Sequence, residues 1–581
     1  MKKIWIWEAL LGLALAACAG QASPTPTNSP TRGRPTTTPP PSATPFVTAA
    51  VSATEEGRPG LALLSAQGRF FSASGACSTC HSGMSDDGGN DVSMDTAWRS
   101  TMMANAARDP YFLASVRAEG LRNPEQRAQI EDTCATCHMP MARTTAAVDG
   151  GQGAIFEEGF ANPENELHPL AMDGVSCSVC HQIRETNLGQ GSYSGQFVID
   201  TELPAGERVI FGPYTIEDDQ ARIMQQASGY VPAQAIPWGN SLHLAQSELC
   251  ATCHTLYLQT FDASGSPAGL FPEQVTYLEW FYSDYRAARS CQNCHMPNAE
   301  GGVRISTTSD HPRSPFSQHI FVGGNAYILG MMNAFGEELG VTASESQFEA
   351  TIGHTLDQLQ NATATLGVEN VTLSSTRLIL EVVVENDAGH KFPTGFPSRR
   401  AWLHLTVQDA GGQVVFESGA YNPNGSIVGN DADEDPAAYE PHHQTIVSPD
   451  QVQIYEAILR DSRGLVTTEL MRAAGYLKDN RLLPSGFQKS APFPDIVVRG
   501  EAFEDQDFVD GGDRVEYSIN LQGAQGPYTL TVELLYQSIG YRWAANLDGL
   551  ESLETRRFLE YYEAIPNLPI VVATQTVELG D

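Results

Sequence analysis

The sequence predicts an α+β multidomain protein, with a mainly helical or irregular region first and an antiparallel β-sandwich after it. Three observations predict this. Every cysteine beyond Cys18 belongs to one of five Cys-x-x-Cys-His triplets, and the segments between them read as helical or irregular. Stretches within 378–536 are strand-like, two of them alternating apolar and polar residues with period two. An amphipathic stretch, 346–366, separates the two textures, with Phe348, Ile352, Leu356, Leu359, Thr363 and Leu366 on one face.

The elements follow in order. Lys2 and Lys3 precede a mainly apolar run, Ile4–Ala17, too short to span a bilayer and closed by Leu15-Ala16-Ala17-Cys18. This resembles a bacterial lipoprotein signal, which implies cleavage before Cys18 and lipidation of that residue. Residues 18–58, rich in Pro, Thr and Ser, bury no apolar surface and are expected to be an extended stalk. Residues 59–345 hold the five triplets, 346–367 the connecting helix, and 368–581 the sandwich. Within 95–112 the Ala and Met content predicts a helix ending before Asp109-Pro110. The alternation of 514–521 and 528–536 around the turn-rich QGAQGP predicts a hairpin. With 34 Lys+Arg against 69 Asp+Glu, the net charge of −35 argues against a nucleic-acid partner, whose phosphates need the opposite field.

The triplets are Cys77/Cys80/His81, Cys134/Cys137/His138, Cys177/Cys180/His181, Cys250/Cys253/His254 and Cys291/Cys294/His295. Structural zinc takes four ligands, so five cysteine pairs leave one over and the recurring His unexplained. Disulfides across two residues close negligible loops. A redox dithiol occurs once, in a βαβ setting. Covalent haem c uses all three residues: two thiols add to the porphyrin vinyl groups and the following His meets the iron. Five such sites imply a pentahaem c-type cytochrome whose haems supply much of the core of 59–345.

On EDTCATCHMP (131–140), DGVSCSVCHQI (173–183), SELCATCHTLY (247–257) and CQNCHMP (291–297), this region resembles the multihaem c-type cytochromes that share haem packing with hydroxylamine oxidoreductase. The resemblance implies closely spaced haem pairs and rapid electron transfer. NDAGHKFPTGFPSRRAWL (386–403) and LKDNRLLPSGFQK (477–489) are similar to a β-rich extension on some members. Two departures weigh against the reactions of better-known relatives. The pentahaem nitrite reductases carry Lys for one motif His, and hydroxylamine oxidoreductase has eight haems.

The second axial position of each iron decides between conduction and catalysis. His168 and His243 precede motifs in the family manner, and His319 in SPFSQHIFVGGN matches a family-like phrase; all three suit distal ligation. His311 and His390 are further candidates, and Met103, with Met102 beside it, would serve a fifth haem. His354 is expected to face solvent, and His404 to face away from Leu403 and Leu405. Asp431, Asp433 and Asp435, just before His442-His443, form an acidic loop with the oxygen ligands of a Ca²⁺ site but without its full twelve-residue pattern.

Two functions are therefore expected. The first is an extracytoplasmic, lipid-anchored electron carrier on the outer face of a bacterial membrane, exchanging electrons with a quinol oxidase module or an external acceptor. The second is an oxidoreductase with one five-coordinate haem acting on a small nitrogen or sulfur compound.

Overall fold

A Cys-x-x-Cys-His spacing sets its three side chains at i, i+3 and i+4, which is one face of a helix. In this computed structural model, which describes residues 57–204, 206–233 and 241–580, the motifs fold accordingly. The first runs out of α1 (Ser74–Ser78) into a turn, where the Cys80 and His81 amides both bond to the Cys77 carbonyl. After α2 (Met94–Arg99) and α3 (Pro110–Arg122), the second motif ends α4 (Arg127–His138). The third is α5 (Cys177–Cys180), the fourth ends α6 (Ser247–His254), and α7 (Thr276–Phe281) leads to the fifth in α8 (Cys291–His295). The signal 1–17, Cys18 and all but the end of the stalk lie outside the described residues. No described helix is long and apolar enough to cross a membrane.

The helix expected across 95–112 is broken. α2 stops at Arg99 and turns run to Asp109, so Met102 and Met103 lie on turns. Pro110 begins α3 instead of following a helix. It occupies the first turn, where a missing N–H costs nothing, and the Asp109 carboxylate caps the Tyr111 and Phe112 amides.

The connecting helix α9 (Glu345–Ala362) starts at a capping box, Ser344 with Gln347, and buries Phe348, Ile352 and Leu359 while His354 is exposed. It ends four residues short of the expected 366, because the chain becomes β1 (Ala364–Leu373). The strands β2 (Arg377–Asn386), β3 (Arg400–Gln408), β4 (Val414–Ser418), β5 (Thr445–Ile446), β6 (Ile454–Asp461), β7 (Val466–Thr467), β8 (Ala473–Asp479), β9 (Gly512–Asn520), β10 (Tyr528–Gln537) and β11 (Ile570–Leu579) then build two sheets. One has the order β7-β6-β3-β10-β11, with β8 also on β6 and β4 also on β3. The other has the order β5-β9-β2-β1. Pairing is antiparallel except between β5 and β9.

Alternation works as the sequence suggests. Leu378, Leu380 and Val382 lie opposite Ile519, Tyr517 and Val515 in one sheet, and Leu403, Leu405 and Val407 opposite Leu534, Val532 and Leu530 in the other. All twelve are fully buried. The expected hairpin of β9 and β10 does not form, because β9 pairs with β2 and β10 with β3 and β11. Period-two alternation reports one buried face and is blind to whether the next strand lies beside it or in the facing sheet. The 521–527 loop crosses between sheets, with Gln522 and Gly523 in the left-handed region.

The acidic loop is not a Ca²⁺ site. Both Asp433 oxygens lie 2.9 Å from Arg400 Nη1 in a pair nearly sealed from solvent, and Asp435 accepts the Ala437 amide. Asp431 faces solvent. One arginine and separate turn bonds thus split the three carboxylates.

The two halves pack directly. A helix between β10 and β11, α10 (Leu553–Ala564), lies on α3, with Tyr111 between Phe558 (5.1 Å) and Phe396 (6.0 Å) and Arg117 paired to Glu554 at 2.9 Å.

His404 does face outward, and it bridges Glu417 (2.9 Å) and Glu533 (3.0 Å) on the flanking strands. Burial alone would lower its pKa, but the two carboxylates raise it. A raised folded pKa contributes stability in full below the unfolded value, about 6.5, and loses it as pH climbs through the folded value. His404→Gln should cost about 0.5–1 kcal/mol near pH 6, little because Glu417 is 41% exposed. The two proteins should converge at higher pH. Thermal melts of both at pH 6 and pH 9 check this.

Candidate haem-binding site

A histidine that ligates metal through Nε2 usually donates its Nδ1–H to a backbone carbonyl, which fixes the tautomer and aims the free lone pair. Four of the five motif histidines meet this condition. Nδ1 lies 2.6 Å from the Ile305 carbonyl in His81, 3.1 Å from Ala106 in His138, 2.6 Å from Phe211 in His181 and 2.5 Å from Val322 in His295. Burial lowers the pKa of all five, to about 4 for His138 and His254, so the rings are neutral and their electron pairs available. All ten motif cysteines are free thiols.

Thiols of different motifs meet. Cys77 is hydrogen-bonded to Cys177, Cys137 to Cys253, and Cys250 to Cys291, while Cys180 lies close to both Cys250 and Cys253. The motifs are therefore gathered into one cluster, with the fourth touching the second, third and fifth. Gly174 shows how tightly. At φ +60° it passes the Met103 and Ala104 carbonyls so closely that a Cβ would sit 2.7 and 2.6 Å from them.

Cys294 departs from this pattern, and the structure corrects the expectation that the two thiols of the fifth motif share one setting. Its thiol is half-buried beside the Tyr285 phenol, whereas Cys291 of the same motif is bonded to Cys250. The physical reason is the shortness of α8. Its single turn points Cys291 at the fourth motif and carries Cys294, three residues on, toward the 284–287 turn that leads into the motif. The spacing to Cys291 and His295 is kept, so Cys294 remains a haem thiol by pattern but stands at the rim of the cluster.

Two further histidines come up against motif histidines. The His319 ring centre is 6.4 Å from that of His181 with planes 18° apart, and His390 is 6.2 Å from His295 with planes 12° apart. These are not stacking contacts, which in this protein bring Phe112 to 3.6 Å from His138. A ring nitrogen lies roughly 1 Å from its ring centre and metal–imidazole bonds run about 2 Å, so two imidazoles sharing one ion have centres about 6 Å apart. The Nδ1 of His319 is buried without a partner, and burial brings its pKa to about 3. His390 Nδ1 lies 2.9 Å from the Lys391 carbonyl, the same tautomer-fixing bond. Haem c is not part of this structure. The free thiols, the oriented imidazoles and the two facing pairs fit it.

The segment 317–322 serves two motifs. It is fastened to the fifth by Gln318 N–H to the Pro297 carbonyl (3.0 Å) and Val322 N–H to the His295 carbonyl (3.1 Å), while His319 reaches the third. The other predicted ligands are placed differently. His168 is half-buried, with Nδ1 on the Phe160 carbonyl at 2.8 Å. His243 is buried edge-on to Phe211, but its Nε2 is on the Ile183 carbonyl at 2.9 Å and Nδ1 is left without a partner. Met103 is half-buried, with its carbonyl bonded to the Val175 amide. His311 is not in the cluster of imidazoles: its side chain is 63% exposed and its Nε2 is 3.9 Å from Glu217. The Pro on its C-terminal side starts a short surface strand, Pro312–Arg313.

Sequence reasoning passed over a second cluster. His442, Asp505 and Asp513 lie buried together with their ligand atoms within 4.8 Å. Their hydrogen bonds argue against a metal. The Gln453 and Asn480 side-chain oxygens accept the amides of His443 and Glu456, so both side-chain amide nitrogens donate to His442 Nδ1, at 2.8 and 3.0 Å. The ring proton is thereby on Nε2, donated to Asp505 at 2.9 Å, and neither nitrogen has a spare lone pair. Tyr455 and Gln453 satisfy Asp513. The cluster is a buried structural network.

Because the fourth motif touches three others, replacing Cys250 and Cys253 by Ser should cut the yield of haem-loaded protein by at least about tenfold, as loss of a structural metal does. Replacing Cys77 and Cys80, whose motif touches only the third through its thiols, should cost less. Haem content and protease resistance of the purified chains measure both.

Three comparisons bear on this arrangement. Residues 76–182, which hold the first three motifs, match the family of cytochrome c554 and c-prime. No curated protein matches the chain in sequence. Among solved structures the chain is similar to a penta-heme cytochrome c552 from Thermochromatium tepidum, with 16% identity and a TM-score of 0.47, over 87% of this chain and 98% of that one. The family match supports a multihaem c-type cytochrome with covalently bound haem c, and electron transfer as the activity that goes with it.

Proposed function

We propose that the chain binds five haem c groups and is an electron carrier of a respiratory chain, exported and tethered to the outer face of a bacterial membrane through a lipid on Cys18. The observation that carries this is the pairing of His181 with His319 and of His295 with His390. An iron held by imidazole on both faces has no site for substrate, and it supplies a reversible one-electron couple.

The residues do four things in this reading. Cys77/Cys80, Cys134/Cys137, Cys177/Cys180, Cys250/Cys253 and Cys291/Cys294 bind the porphyrin edges. His81, His138, His181, His254 and His295 meet iron from one side. His319 and His390 close the other side of the third and fifth sites, and His168 and His243 are the remaining histidine candidates for the other three, with Met103 beside them. The thiol contacts order the sites as first–third–fourth–fifth with the second on the fourth, close enough together for electrons to pass between neighbours. That closeness is in keeping with the haem packing of the hydroxylamine oxidoreductase relatives. The donor and acceptor are redox proteins reached at the ends of this row.

A second reading, an oxidoreductase with one open haem, draws on one observation. Among the described residues no facing pair of imidazoles is found for His81, His138 or His254.

Low-temperature electron paramagnetic resonance of the oxidised, haem-loaded chain separates the two. The carrier reading predicts low-spin iron throughout, and a mass equal to the processed chain plus five haems. A stoichiometric high-spin signal that shifts with nitrite, hydroxylamine or sulfite would establish the enzyme in its place. Cys18→Ala should move the protein from the membrane fraction to the soluble fraction.

A further inference from the structure

Resting on the reading of His390 as a ligand, we propose that the fully buried Lys391 is its positioning residue. The Lys391 carbonyl sets the His390 ring, and its ammonium, locked into a charge cluster, fixes the backbone from which that ring projects.

The geometry is continuous from the sandwich core to the fifth motif. Lys391 is wholly excluded from solvent, and its Nζ donates to Asp479 Oδ2 at 2.7 Å. Asp479 is gripped from its other side by Arg481, whose Nε and Nη2 lie 2.8 and 2.9 Å from its two oxygens. Burial alone would raise the Asp479 carboxyl, but Arg481 and Lys391 hold it well below its usual range. Arg481 Nη1 then pairs with Glu279 at 2.9 Å, and Glu279, itself fully buried, accepts the Thr394 hydroxyl at 2.5 Å. Glu279 lies on α7, twelve residues before Cys291. The cluster thus joins the His390 loop, the end of β8 and the helix that leads into the fifth motif.

Backbone bonds brace the same loop. Phe392 and Leu482 exchange amide hydrogen bonds at 2.9 and 2.8 Å, and Asn386 Nδ2 donates to the His390 and Leu482 carbonyls at 2.9 and 3.0 Å. Ser283, just after α7, donates to the Gly389 carbonyl at 3.0 Å. Two cations and two carboxylates balance, so the cluster is stable as a unit. Without the ammonium, Asp479 still has Arg481, and the fold keeps a paired carboxylate. That makes Lys391→Met a clean test: it retains the carbonyl on His390 Nδ1 and removes only the anchor.

The test uses the full haem-loaded chain in four forms: wild type, His390→Gly, Lys391→Met and Lys391→Arg. Two readouts are taken, high-spin ferric iron by electron paramagnetic resonance and the rate of carbon monoxide binding to the reduced protein. His390→Gly should expose one iron per chain. Lys391→Met should raise carbon monoxide binding at that iron about 10- to 100-fold, the usual scale for loss of an outer-shell partner, and Lys391→Arg should restore it. If His390→Gly exposes no iron, the ligand assignment fails and the proposal with it. If His390→Gly exposes an iron but Lys391→Met matches wild type, the ligand stands and the positioning role is overturned. Failure of Lys391→Arg to restore overturns the charge anchor. Should Lys391→Met not accumulate, Thr394→Val removes only the hydroxyl on Glu279, and a smaller rise in the same direction is expected; no rise overturns the proposal.

Discussion

Burial of neutral imidazoles with one nitrogen tied to a carbonyl and the other free is the constraint on which the rest of this structure depends. A buried polar nitrogen needs a partner. Backbone carbonyls satisfy Nδ1 of His81, His138, His181 and His295, and His319 and His390 stand opposite two of those rings at the distance an ion would fill. The helical turns that carry the motifs are short and poorly capped, and their segments are joined by turns with little sheet. Such a region has its packing partner in the bound groups, and its own apolar clusters, such as Phe70, Phe71, Leu170 and Val179, are small.

The sandwich is part of the same construction. Its twelve facing side chains make a conventional core that stands on apolar burial. Its loops do something else: 386–399 and 479–487 close around α7 and deliver His390 to the fifth motif, with the ion cluster at the seam. Burying two cations and two carboxylates adds little net stability compared with an apolar filling, but it admits one arrangement, since any shift strands a charge. A seam of this kind fixes position, which a metal ligand needs. α10 on α3 repeats the joint on another face, this time through aromatic contact.

The five motifs were legible because thiol and imidazole spacing is local. So were the strands, the inward faces of β2, β3, β9 and β10, and the outward turn of His404. What failed was non-local. The apolar alternation of 514–521 and 528–536 is equally satisfied by a hairpin or by an arch between sheets. Pro110 was read as ending a helix when its Asp109 cap makes it a start. Asp431, Asp433 and Asp435 looked like one site until Arg400, far off in sequence, claimed one of them. Spacing makes Cys291 and Cys294 equivalent, and only the packing of α8 against the fourth motif sets Cys294 apart at the rim. The placing of His390 and His319 beside particular motifs depends on contacts across 95 and 138 residues, which no periodicity encodes. The charge cluster around Asp479 carried no sequence signal beyond its phrases, GHKFPTG and KDNR.

The most direct test of this account is a crystal structure of the haem-loaded chain, in which the irons of the third and fifth motifs are located against their axial partners. The account predicts His319 and His390 Nε2 bonded to those irons, opposite His181 and His295, with the ring centres still near 6.4 and 6.2 Å apart. Water, or any other side chain, on the distal face of either iron would contradict it.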